Sequence, residues 1–300
     1  MALTDKLKIA LDETRLLILG SQILFGFQLN GMFQDGFEEL SAVARGLNVC
    51  GLFLMAGTVG LLVAPSMQHR IVERGYDSRR LYAAATRFAE LALLPFAVSL
   101  GLTFYLVLER HAGVALAAGG GASFFALAVL FWFGIARMIE RPEEPMDDEE
   151  DQGKTPLHTR IDQMLVEARL ILPGAQAMLG FQFAVMLTKT FDRLPQDAKL
   201  VHVAALALVA AAVILLMTPA AIHRLTFRGQ DDERFHRIGS RFLIAAAAPL
   251  GLGISLDMFV VLVRVTDSPG LGTAGACLTA VLFTLLWFVQ PLMLRSRTAS

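Results

Sequence analysis

A small set of polar residues lies inside long apolar stretches of this chain, and most of them occur twice. Glu13, Arg15, Gln22, Gly26 and Gln28 form the pattern E-x-R-x4-G-x-Q-x3-G-F-Q, and Glu167, Arg169, Gln176, Gly180 and Gln182 repeat it 154 positions later. On a helix Arg15, Gln22 and Gly26 share one face, being seven and four residues apart. An amide surrounded by lipid needs a hydrogen-bond partner, and two arrangements would supply one. In the first, glycines let two helices approach and the glutamines bond across the seam. In the second, the four glutamines line a polar path that holds a partly dehydrated ion or a file of water. Gln28 points roughly 240° away from Gln22 at 100° per residue, so all four cannot line one narrow stripe.

A second duplicated set ends the apolar stretches. His69 and Arg70 match His223 and Arg224, and Arg87 matches Arg241. With Glu13, Arg15, Glu167 and Arg169 they would form a charge network or gate at one membrane face. The plainer reading is interfacial anchoring, with long side chains reaching to water. Histidines that titrate near neutrality would make such a rim pH-sensitive. Haem ligation calls for histidine pairs at mid-membrane, and His111, His158, His202 and His236 fall at ends or loops of the expected spans.

Unpaired polar residues break the repeat. Asp257 stands where the first copy has Thr103, deep in an apolar segment, and an intramembrane carboxylate is a candidate functional site: it would carry a proton or bind a cation. Pairing with Arg264 two turns on is the alternative. Glu90 corresponds to Ile244 and is one turn from Arg87, which suggests an i,i+3 ion pair. Asp35 and Lys189 would pair across the two copies. No spacing matches a nucleotide, metal or nucleophile motif, and Gly119–Gly121 follow no strand, so they read as a packing element. The expectation is a non-enzyme without cofactor or bound metal. Cys50 and Cys277 read as buried small hydrophobes.

The elements that must position these residues follow from the duplication. Residues 11–95 align on 165–249 without a gap, with 31 of 85 positions identical. The mean hydropathy is +0.57, 55% of residues are hydrophobic and only 18% are charged. A soluble chain carries nearer 25% charged residues. About 20 apolar residues cross a bilayer as a helix. Eight such spans are expected, near 16–34, 46–67, 84–108, 113–138, 170–188, 200–222, 242–263 and 271–294. The fold expected is therefore an all-α integral membrane protein of two parallel four-span repeats, residues 1–139 and 160–300. An even number of spans per repeat brings both copies into the membrane from the same side, with a pseudo-twofold axis along the membrane normal.

Of the 26 Lys and Arg, only Arg45, Arg110, Lys189, Arg193, Lys199 and Arg264 fall on the side opposite the termini. The other 20 mark the cytoplasmic side, so both termini should lie inside the plasma (inner) membrane. The N-terminus lacks the apolar core of a signal peptide. Residues 140–159, rich in acid and Pro, read as a disordered tether. Leu7, Leu11, Ile161 and Leu165 suggest amphipathic lead-ins to the first span of each repeat. There is no basic domain for nucleic acid.

The run LDETRLLILGSQILFGFQ, with its copy LVEARLILPGAQAMLGFQ and the span endings APSMQHR and TPAAIHR, resembles a bacterial family of small four-span integral membrane proteins of unknown function. The resemblance implies that this chain is two fused copies and that single-repeat relatives assemble as homodimers. One chain would then be a complete pseudo-dimer. The second copy reads EAR where the first reads ETR. The expected function is a small-ion channel or secondary transporter with its path along the repeat interface. The alternative is a non-transporting scaffold or sensor whose basic cytoplasmic loops bind lipid or a partner.

Overall fold

The computed structural model describes residues 3–134, 155–227 and 231–298. The side chains of residues 3–13 and of Arg15 lie outside that set, as does most of the acidic tether. Every regular element among the described residues is helical: α1 (Leu3–Gly31), α2 (Ala42–Ile71), α5 (Leu157–Met186), a short α6 (Lys189–Asp192), α7 (Gln196–Leu225) and α8 (Glu233–Thr266) are uninterrupted. The run after Ser78 bends at Gly113, which takes φ 79° and ψ 167°. Its two arms are α3 (Arg79–Glu109) and α4 (Ala112–Gly134). The last arm is α9 (Pro269–Thr284), a π-helical turn at Leu285–Val289, then α10 (Gln290–Thr298).

Local chemistry sets the starts. Ser41, Ser78, Asp232 and Ser268 each accept a hydrogen bond from a backbone N–H of the first turn, which satisfies donors that have no helical partner. The expected lead-ins are not separate elements: α1 and α5 run straight through them, and α5 begins at Leu157, inside the stretch read as tether.

Among the described residues seven helices are long and apolar enough to cross a membrane. Helix α1 is not among them, although its counterpart α5 is. Ser21, Asn30 and Gly31 stand where α5 has the more apolar Ala175, Ala184 and Val185.

The repeats meet through α1 against α5, and through α2 against α8 and α9. The second contact is one-sided: α7 makes none of comparable extent with α3 or α4 among the described residues. The sequence supplies the reason. On α2 the contact runs over Gly57 and Gly60, and a Cβ at Gly60 would lie 3.0 Å from the Phe283 ring. The bare backbone there lets Trp287, wholly buried, donate its Nε1–H to the Gly60 carbonyl at 2.8 Å, with Phe283 stacked on the indole. The matching positions on α7 are Ala211 and Ile214, and Ile214 is 66% exposed. A branched side chain keeps another helix from approaching as closely. Accordingly α2 and α8 are the most buried helices, while α4 and α9 keep lipid-compatible faces.

Helices α3 and α4 form a hairpin. Its closest approach is between Gly101 and Gly121, where a Cβ on either would sit 2.8 Å from the other's carbonyl oxygen. Cys50 and Cys277 are free thiols and both are exposed, not buried as expected, because each lies on an outward helix face.

Candidate functional site

Two buried polar groups lie at opposite ends of the bundle. Both use α5, where Glu167 and Gln182 are 15 residues apart, roughly 22 Å along the axis at 1.5 Å per residue.

At the basic end Glu167 crosses between repeats. Arg70 holds both of its carboxylate oxygens, Nε to Oε2 at 2.6 Å and Nη2 to Oε1 at 2.7 Å, while His69 Nδ1 also meets Oε1. Glu167 and His69 are fully buried and Arg70 is 4% exposed. A forked guanidinium on a carboxylate is the strong form of this pairing. Arg70 Nη1 extends to His236 Nε2, and Arg160 Nη2 to His236 Nδ1, each at 3.3 Å. A neutral imidazole accepts at one nitrogen only, so only one of these is a true hydrogen bond. Arg160 also reaches Glu233 at 2.9 Å, the Arg74 carbonyl at 3.2 Å and the face of Tyr76. Gly75, at φ 86°, permits this: a Cβ there would lie 2.7 Å from His236 Nε2. Gln163 to Asp77 at 2.8 Å extends the seam.

The network expected from the sequence is thus only partly assembled. His69, Arg70 and Glu167 come together. Arg87, Arg169, Arg224 and Arg241 are exposed and outside it. His223 stacks on Phe235 at 4.5 Å, so the second repeat's His-Arg pair does not mirror the first. Glu13 and Arg15 fall among the side chains not described. Arg160 and His236 were not foreseen, because neither belongs to the identical set of repeat positions.

The four glutamines do not converge. Gln22 is fully buried against Gly174 of α5, and neither of its amide atoms has a partner. Gly26 lies under the Phe181 ring. Gln176 is exposed and Gly180 has open space where a side chain would be. Gln28 and Gln182 turn into their own repeats. The cause is the one-sided contact between repeats, which gives equivalent faces of α1 and α5 different neighbours.

Gln28 donates Nε2–H to Ser99 at 2.8 Å and Thr103 at 3.0 Å, and Ser99 donates to the Gly51 carbonyl at 3.1 Å. Asn48 is buried nearby, and with Gln28 and Thr103 it borders a cavity of about 350 Å³ that Leu24, Phe37 and Leu106 also line. The second repeat puts ionisable groups at the same positions. Gln182 donates to Asp257 Oδ2 at 2.7 Å, and His202 Nε2 contacts the Gln182 backbone carbonyl at 2.9 Å. Asp257 Oδ1 and His202 Nδ1 face each other at 3.6 Å, both without a hydrogen-bond partner. All three side chains are fully buried.

Asp257 does not pair with Arg264. Arg264 binds Glu38 at 2.7 Å, and Arg193 approaches the same carboxylate at 3.5 Å. Glu38 therefore holds the repeats together at that end, and Asp35 and Lys189 are both exposed and do not pair with each other. Arg87 and Glu90 are exposed and do not pair either. His202 was missed because it was placed at the end of its span, whereas it lies six residues inside α7 (Gln196–Leu225). The signal was present: aligning the repeats sets His202 on Asn48 and Asp257 on Thr103, two neutral-to-ionisable exchanges that meet in space.

Seven long apolar helices among the described residues, with buried polar groups between them, are consistent with a multi-pass helical membrane protein. The chain belongs to a family of unknown function, DUF6328, whose model matches it twice, over residues 5–136 and 151–291. The double match fits a tandem duplication. No curated protein and no solved structure matches the chain.

Proposed function

We propose that this protein moves a small inorganic ion across the membrane, with its ion site inside the second repeat at Asp257. One observation carries this reading: a wholly buried carboxylate in a spanning helix, held by Gln182 and faced by His202, with no Lys or Arg in contact among the described residues. A carboxylate in such a place is expensive to keep and marks ion or proton pathways in membrane proteins. Conduction along the interface glutamines is the weaker route, since Gln176 is exposed and Gln22 packs on Gly174.

In this reading α1 is an eighth span, and its Gln28 is satisfied inside the bundle by Ser99 and Thr103. The two four-span repeats sit parallel in the plasma (inner) membrane with the basic end and both termini in the cytoplasm. The chain works as one fused pseudo-dimer with no cofactor. The Glu167–Arg70–His69 clamp closes the cytoplasmic end, and Glu38 with Arg264 closes the other.

The test is dye-reported flux in proteoliposomes under K⁺, Na⁺ and pH gradients in turn. Ion-selective flux that disappears in Asp257→Asn is expected. Silence under every gradient, from protein shown to be folded, sinks the reading.

A second reading has its own support: Arg87, Arg169, Arg224 and Arg241 are all exposed at the basic end. They would bind anionic headgroups or an acidic partner, as a scaffold would. Sedimentation with anionic vesicles, lost on neutralising these four, would favour it.

A further inference from the structure

The facing atoms of Asp257 and His202 pose a problem in proton counting. The Gln182 backbone carbonyl is an acceptor only, so the His202 nitrogen that contacts it at 2.9 Å, Nε2, must carry a hydrogen. In a neutral imidazole the other nitrogen, Nδ1, is then a bare acceptor. It faces Asp257 Oδ1 at 3.6 Å. A carboxylate oxygen is also an acceptor, and neither atom has another partner. Two buried acceptors face each other with no hydrogen between them, and the arrangement is completed by one proton. We infer that Asp257 and His202 share one exchangeable proton, and that this proton is the ion the site carries.

Metal cations fit the site poorly. Calcium takes six to eight oxygen ligands and magnesium a near-octahedral set. The oxygens at hand are the two of Asp257, Oε1 of Gln182 and the Gln182 backbone carbonyl, and of these Oδ2 is already taken by the glutamine N–H and the carbonyl by His202 Nε2. No group of three or more His, Cys, Asp or Glu able to hold a metal occurs among the described residues. An unpaired carboxylate away from water is costly, and a proton removes that cost with no further ligand.

Among the described residues no other charge reaches the pair. On α5 the nearest ionisable residue inward is Arg169, which is exposed, and beyond it Glu167, held in the opposite clamp. On α6 Lys189 and Asp192 are exposed, and on α7 Asp197 is exposed while Lys199 bonds to the Asp192 carbonyl. On α8 Arg264 is committed to Glu38. Helix α9 contributes only Cys277, which faces outward. The Phe191 ring covers the imidazole, centroids 5.3 Å apart. With the proton on oxygen both groups are neutral. With it on Nδ1 they are an ion pair. Transfer breaks an N–H bond as the O–H bond forms, and the site's net charge stays at zero. The first repeat cannot do this, because Asn48 and Thr103 hold no exchangeable charge in the same positions.

The inference rests on the transport reading only for the proton's movement; its presence is measured separately. The experiment uses the full chain in nanodiscs at neutral pH. Infrared spectroscopy reads the carboxylic acid band that Asp257→Asn removes, and NMR of isotope-labelled histidine reads the imidazolium that His202→Asn removes. One of the two signals is expected in wild type, unchanged by excess sodium or calcium. A bare carboxylate beside a neutral imidazole overturns the inference, and so does a proton that either metal displaces. Asp257→Thr, which copies the first repeat, serves as the second variant if Asp257→Asn fails to fold. A shared proton without flux would keep the proton on the pair and remove both its role as the carried ion and the transport reading. Sodium flux with a bare carboxylate would keep the transport reading and overturn the inference.

Discussion

Gln28 and Gln182 hold the same position in the two repeats, yet the groups they hold differ in kind. The first repeat offers hydroxyls: Ser99 and Thr103 satisfy the Gln28 amide, and a cavity of about 350 Å³ opens beside them. The second offers a carboxylate and an imidazole, with Phe191 over the imidazole. A common scaffold thus positions a neutral cluster in one copy and an ionisable one in the other. Duplication lets one copy keep the packing while the other acquires charge. The basic end shows the same division: His69 and Arg70 are bound to Glu167, whereas His223 stacks on Phe235 and Arg224 faces out.

The largest predicted difference between repeats is at that clamp. Arg70→Ala leaves the buried Glu167 without its guanidinium and should cost about 3–5 kcal/mol, the usual penalty for breaking a buried pair. Arg224→Ala should leave unfolding in detergent unchanged. Equal losses from both would mean that the repeats are bonded alike.

The next test concerns the one-sided contact. Gly60→Ile gives α2 the residue that α7 carries, pushes on Phe283 and removes the Trp287 approach. Overpacking of this kind costs about 1–3 kcal/mol, read as a lower unfolding midpoint and an exposed tryptophan spectrum. Ile214→Gly, on the open face, should cost less.

Exchanging the two polar sites sharpens the comparison further. Thr103→Asp places a carboxylate where Asn48 offers no base, and should cost about 1–3 kcal/mol for an uncompensated polar group. Asp257→Thr should keep the fold, with the Gln182 amide bonding to a hydroxyl as Gln28 does, while flux is lost. If Asp257→Thr unfolds the protein and Thr103→Asp does not, the carboxylate is a structural residue. The smallest effect is expected from Gln176→Leu, an exposed position, which should change neither melting nor flux. A loss of flux there would restore the interface path.

Much of the fold was legible. The duplication, the all-helical character and seven of the helices follow from hydropathy and spacing. His69, Arg70, Glu167, Gln182 and Asp257 stand out in the sequence, but Arg160, His202 and His236 do not, nor do the pairings. Glu167 finds Arg70 across 97 positions of sequence, and Gln182 finds Asp257 across 75. Local spacing suggested Arg264 for Asp257 and Arg87 for Glu90, and neither pair exists. An i,i+3 spacing permits a contact without requiring it, and an exposed pair gains little from forming.

Sequence by itself determined that helices form, that most of them belong in lipid, and which positions the two copies share, because apolar length and repeat identity are properties of the chain alone. Only the tertiary structure decided which equivalent residues would do equivalent things. Gly60 admits Trp287 and its helix, Ile214 admits none, and that single difference in backbone access gives matching faces different neighbours. Glutamines at equivalent repeat positions therefore end buried against a glycine, bound to hydroxyls, bound to a carboxylate, or exposed.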